Sequence, residues 1–164
     1  MNVLRLLALL CAYTLASSTS LASEPPDPAM TDGWTQWAKD ASKEDIRAML
    51  RLLEDKRADA DGVRRLLGHP HQDIRGFAVL ALSRMAETLD DALVGCLDDP
   101  HEAVRRTTAF ALGQIGVPEG EKPLLARLRI EESSKVRTDI WKALGRCGTT
   151  VTLSQMATMK KLHP

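Results

Sequence analysis

No charge surplus, no catalytic signature and no sustained alternation of apolar with polar residues occurs in this chain of 164 residues, and each absence removes a class of protein. Lysine and arginine together number 22, as do aspartate and glutamate, so the formal net charge is zero. Binding to a phosphate backbone favours a basic surplus, so the balance argues against a nucleic-acid partner. The lack of period-two patterning predicts that no sheet forms. Gly-rich phosphate loops, Gly-x-Ser-x-Gly, His-Glu-x-x-His and Cys-x-x-Cys are all missing, so no catalytic residue is assigned and no cofactor is implied.

Long apolar runs are scarce too. Leu6 to Ala16 is shorter than the roughly 20 residues that span a bilayer. With Arg5 before it and Ser20-Leu21-Ala22 after it, the run reads as a secretory signal peptide over residues 1–22, cleaved near Ala22. Cys11 follows Leu9 and Leu10 rather than a small residue, which argues against a lipoprotein. An exported chain would be periplasmic or secreted, with no stable membrane span after cleavage. Beyond residue 22 stand 142 residues, 21 basic and 22 acidic, enough for one domain. Residues 23–41 form a linker and amino-terminal cap: Glu24-Pro25-Pro26-Asp27-Pro28 cannot continue a helix, while Trp34 and Trp37 are placed to cover an open apolar end.

What the chain does have is a segment written twice. Residues 67–86 match residues 97–116, pairing Leu67 with Leu97, Pro70 with Pro100, His71 with His101, Arg75 with Arg105, Ala81 with Ala111 and Leu82 with Leu112. A third copy follows after two extra residues, with Val136, Arg137, Ala143, Leu144 and Gly145 in register. A period of this length marks a solenoid. Each copy opens a long helix with one apolar stripe: Ile74, Ala78, Ala81, Leu82 and Met85; then Val104, Thr108, Ala111, Leu112 and Ile115; then Val136, Ile140, Ala143, Leu144 and Cys147. An earlier helix begins at Ser42, with Asp45 three residues on in a capping-box arrangement, and buries Ile46, Met49, Leu50 and Leu53. Second helices are predicted over residues 61–67, 89–97, 119–128 and 150–162. The last of these carries Val151, Leu153, Met156, Met159 and Leu162, more apolar surface than one face needs.

From Asp99-Pro100-His101-Glu102-Ala103-Val104-Arg105-Arg106 on to Ala109-Phe110-Ala111-Leu112-Gly113-Gln114-Ile115-Gly116, the sequence resembles a HEAT repeat of the short type first recognised in phycobilin lyases. The resemblance covers residues 70–148 and extends more weakly over 42–69 and 149–162. It implies an all-α, right-handed alpha-alpha superhelix of about four helix pairs over residues 42–164, with the second helices lining a concave face.

Chemistry-bearing residues have structural readings. Arg75, Arg105 and Arg137 recur at one repeat position, and the resemblance to HEAT repeats implies that they pair with acids of their own or the adjacent repeat, such as Asp73 or Asp99, rather than bind an anion. His69, His71 and His101 sit in turns, with too few converging ligands for zinc, so no metal site is assigned. Asp59-Ala60-Asp61-Gly62 imitates a calcium loop but has Arg57 and Gly68 where the terminal ligands belong, and reads as a turn. Cys96 and Cys147 occupy apolar repeat positions about two repeats apart, which predicts two core thiols and no disulfide. The functional expectation is an exported scaffold for an unidentified protein partner, the alternative being an accessory lyase or isomerase acting on a bound small molecule. Helical spacing turns Arg64, Arg65, Asp90, Asp91, Val94, Glu121, Lys122 and Arg127 away from the core, and these are the candidate partner-binding residues.

Overall fold

The computed structural model describes residues 37–38, 40–56, 60–86, 88–149, 152 and 154. Seven α-helices are bounded within them: α1 Lys43–Lys56, α2 Ala60–Leu66, α3 Gln72–Met85, α4 Asp91–Gly95, α5 Glu102–Ile115, α6 Glu121–Ile130 and α7 Ser134–Cys147. No strand occurs among the described residues. The long helices stack in order, α1 on α3, α3 on α5 and α5 on α7. The second helices form another layer, α2 against α3, the turn after α4 against α5, and α6 against α7. This is the all-α, HEAT-like solenoid that the repeated segment implies.

Local chemistry fixes the helix ends. Ser42 accepts the Asp45 N–H at 3.1 Å and returns its hydroxyl to Asp45 Oδ2 at 2.8 Å, satisfying an amide that has no partner within the helix. Asp90 accepts the Ala92 N–H at 2.9 Å, and Ser133 accepts that of Val136 at 3.4 Å. Helix α5 stops at Gly116, whose φ of 68° is the left-handed closing conformation that glycine adopts without strain.

The predicted stripes are the core. Ile74, Ala78, Ala81, Leu82, Val104, Thr108, Ala111, Leu112, Val136, Ile140, Ala143, Leu144 and Cys147 are all buried, with Met85 and Ile115 half-buried at the rim. The Thr108 hydroxyl is satisfied by the Val104 carbonyl at 2.9 Å. Trp37 and Ala38 are buried as well, while Trp34 and most of the expected final helix lie outside the described residues. Of that helix, Thr152 and Ser154 are described and helical.

Two second helices differ from expectation. Helix α4 is shorter than residues 89–97, because Asp90 is consumed as its cap and the chain tightens after Gly95 into a 3-10 turn over Cys96–Asp98. Before α6, Pro118–Gly120 also forms a 3-10 turn, so the α-helix starts two residues later than residue 119. Where α5 crosses α7 the helices come unusually close: a methyl group on Gly113 would lie 2.9 Å from the Ala143 Cα and 3.0 Å from its Cβ. Glycine at that position lets two helix backbones touch.

Candidate functional site

The recurring arginines are structural, and the structure shows how. Arg75 donates bidentately to Asp99, at 2.6 and 2.8 Å, and its third nitrogen donates to the carbonyls of His69 and Pro70 at 2.8 and 3.0 Å. Arg105 does the same one repeat on, gripping Glu131 at 2.8 and 3.0 Å and the carbonyls of Asp99 and Pro100 at 2.9 and 3.1 Å. Each arginine thus ties its own turn to the acid of the next. Asp73, one of the two expected acids, instead accepts from Lys43 of α1 at 2.6 Å, because it sits on the outer face of α3. Arg137 holds the carbonyls of Leu128 and Glu131 at 3.0 and 3.3 Å and pairs with no carboxylate among the described residues.

The same acids cap the following helices. Asp99 accepts the His101 N–H at 2.8 Å and Glu131 that of Ser133 at 2.9 Å. Burial pushes both carboxyls up, but the arginines and these amides outweigh it, so Asp99 titrates below its ordinary range and Glu131 falls from 4.5 to about 2. His69, expected on the surface of its turn, is buried. Its Nδ1 accepts the His71 N–H at 3.1 Å, and its Nε2 lies 3.1 Å from the Ala38 carbonyl, which can only accept. That fixes the proton on Nε2. Burial holds His69 below the usual histidine range, and His71 and Arg75 add to that.

The eight candidate residues fall into two groups. Arg64 donates to Asp90 at 2.7 Å and also pairs with Asp61. Arg64 and Asp90, together with Asp91, border a groove of about 430 Å³ that is also lined by Leu82, Met85 and Leu89, at the edge where α2 meets the α3–α4 turn. Val94 and Arg65 stand half-buried nearby on the second helices, and Lys122 is exposed on α6. The other two are engaged in holding the fold. Glu121 accepts the Thr149 N–H at 3.0 Å and the Thr152 hydroxyl, and Arg127 pairs with Glu131 and Asp98 at 2.8 and 3.0 Å. Helical spacing placed all eight outward, yet it could not show that long side chains at α6 fold back onto neighbouring turns.

Sequence reasoning passed over the opposite surface, that of the long helices. Phe110 is 46% exposed, with the Arg146 guanidinium 6.0 Å above its ring, and Phe77 lies under Arg47 at 5.1 Å. The signal was present in the repeat, since Leu80 and Phe110 are apolar partners thirty residues apart that lie outside the buried stripe.

The remaining titratable groups offer little chemistry. Cys96 and Cys147 are free and buried; burial pushes the Cys96 thiol up to about 11 and raises that of Cys147 as well. Among the described residues no three histidine, cysteine or carboxylate side chains are grouped to hold a metal ion, and no helix is long and apolar enough to cross a membrane. Comparison with known proteins gives one family: a model of HEAT repeats matches residues 89–159. The arginine-to-acid linkage carries the same repeat back through α3. No curated protein matches the chain.

Proposed function

Since this chain is a HEAT repeat protein, we propose that it is an exported scaffold that holds a protein partner and has no catalytic activity of its own. HEAT repeats generally serve as protein-interaction scaffolds. The observation that carries the reading is the groove beside α2, lined by Arg64, Asp90 and Asp91 together with Leu82, Met85 and Leu89. Charges of both signs beside apolar side chains suit a protein surface, which presents complementary charges and can fill the groove with its own side chains. Burial raises both thiols, so neither cysteine is an activated nucleophile. Export rests on the apolar run Leu6 to Ala16 and the small residues ending at Ala22.

The test is in-cell crosslinking followed by purification of the chain and of a variant carrying Arg64→Glu and Arg65→Glu. One protein should co-purify reproducibly with the wild type and be depleted at least about tenfold with the variant, whose helical circular dichroism is unchanged. Equal recovery with both chains removes the groove from the binding surface. The mass of the purified chain reports whether residues 1–22 have been removed.

A further inference from the structure

The exposed face of the long helices is built differently from the groove. At its centre are the exposed ring of Phe110 on α5 and the half-buried Phe77 and Leu80 on α3. Leu80 and Phe110 are repeat partners on helices that pack directly together, so they stand about one helix spacing of 8–10 Å apart. Two hollows flank them. One, of about 120 Å³, runs between α1 and α3 under Arg47 and Arg51; the other, of about 250 Å³, lies between α5 and α7 under Arg146.

Charge separates this face from the rest of the molecule. Around the three apolar side chains stand six cations, three at the α1–α3 hollow, two at the α5–α7 hollow, and Arg106. The carboxylates at the two hollows are Glu54 and Asp139, taken by Arg84 at 2.8 Å and by Arg106 and Lys142 at 2.8 and 3.2 Å, and Asp73, also on the outer face of α3, is taken by Lys43 at 2.6 Å. Arg47 and Arg51 form no ion pair among the described residues, and Arg146 reaches only the Gln114 side-chain carbonyl at 3.4 Å. The chain as a whole is neutral, so this concentration of positive charge is local.

We propose that the face of α1, α3, α5 and α7 is a second docking surface, and that it takes an acidic amphipathic segment of a protein partner. Apolar side chains of the segment cover Phe77, Leu80 and Phe110, while its carboxylates meet Arg47, Arg51 and Arg146. Both halves of the fit are needed. Apolar side chains at the centre give a polyphosphate backbone nothing to bury, and Glu54 and Asp139 within the face repel it. Arginine already lying over an aromatic ring keeps its planar donors free for a carboxylate, so the site is formed before the segment arrives. The inference rests on the protein-interaction reading of the chain but uses a surface opposite the groove.

A displayed library of random peptides selected against the full chain tests it. Enriched peptides should carry an excess of Asp and Glu together with apolar residues at helical spacing, and their affinity should fall as salt is raised. Binding should drop about tenfold or more for a variant with Arg47→Glu and Arg51→Glu and, separately, for Phe110→Ala, and remain for Arg64→Glu. Three results overturn the proposal: enriched peptides without acidic excess, equal binding to all variants, or no enrichment accompanied by binding to vesicles containing phosphatidylglycerol, which would assign the face to lipid. Peptides lost only with Arg64→Glu would overturn this face while sustaining the groove as the interaction surface.

Discussion

At the turns before α5 and α7 the side chain that accepts the incoming helix amide is a carboxylate chelated by an arginine, Asp99 by Arg75 and Glu131 by Arg105. At the turn before α3 that side chain is His69, and no arginine reaches it from α1, where Arg47 lies over Phe77 instead. The two solutions show which requirement is constant and which is conditional. Each of these three turns supplies an acceptor for the amide two residues on, because amides at a helix start have no partner within the helix. A charged acceptor is sustainable only where a cation arrives from the preceding repeat. Without one, a neutral imidazole does the same work, and its second nitrogen is left to hold the Ala38 carbonyl and with it the Trp37 segment.

Breaking the interior should be the most damaging change. Glu131→Ala strips Arg105 and Arg127 of their shared carboxylate and frees the Ser133 amide. With the Glu131 side chain 1% exposed and that of Arg105 13%, a loss of about 3–5 kcal/mol is expected in urea unfolding. Asp99→Ala should fall at the lower end of that range, because Asp99 serves one arginine. Glycine sharpens the comparison between repeats. Gly113 and Gly145 are repeat equivalents, but a methyl group on Gly113 meets the Ala143 backbone, while one on Gly145 meets nothing within 4 Å. Gly113→Ala should therefore cost about 1–3 kcal/mol through forced separation of α5 from α7, whereas Gly145→Ala should add up to about 1 kcal/mol through helix propensity. Equal effects at both positions would mean that α5 and α7 are not in close contact.

Acid should separate the two kinds of turn. For His69 the folded value is lowered, so the unfolded chain takes up its proton first; the stabilisation is present above the unfolded value of about 6.5 and is lost as pH falls below it. For Glu131 the folded value is about 2 against 4.5, so its contribution is present above 4.5 and disappears between there and about 2. Hydrogen exchange should accordingly show the Ala41 amide, bonded to the Trp37 carbonyl, beginning to lose protection as pH falls below about 6.5, and the Ser133 amide holding it until below pH 4.5. Simultaneous loss would contradict the distinction. The smallest effect belongs to Arg137→Gln. This removes two carbonyl bonds but no ion pair among the described residues, so about 1 kcal/mol is expected.

The fold was readable because repetition and periodicity are properties of the chain itself. Aligning two copies placed Val104 with Ile74 and Leu112 with Leu82, and all four are buried. Helix boundaries were less readable at α4 and α6, where Asp90 serves as a cap and the chain tightens into 3-10 turns over Cys96–Asp98 and Pro118–Gly120. The arginine partners were half readable. Asp99 was among the expected acids, but Glu131 lies 26 residues beyond Arg105 and is brought to it by the stacking of repeats. The burial of His69 depends on Ala38, 31 residues earlier in a less regular segment. Of the candidate surface, Arg64, Asp90 and Asp91 do converge on one groove, whereas Glu121 and Arg127 are tied into the framework by contacts that spacing alone does not encode.

The arginine linkage also sets a rule for how such a chain can change its length. The unit that holds α5 presents a guanidinium forward, to Glu131, and a carboxylate backward, to Arg75, so the bond is directional and is repeated at the junctions of α3 with α5 and of α5 with α7. Duplicating the stretch from one turn to the next inserts one donor and one acceptor together; deleting it removes both. Charge pairing therefore survives duplication or deletion of that unit, whereas replacing Asp99 or Glu131 alone leaves an arginine without its carboxylate.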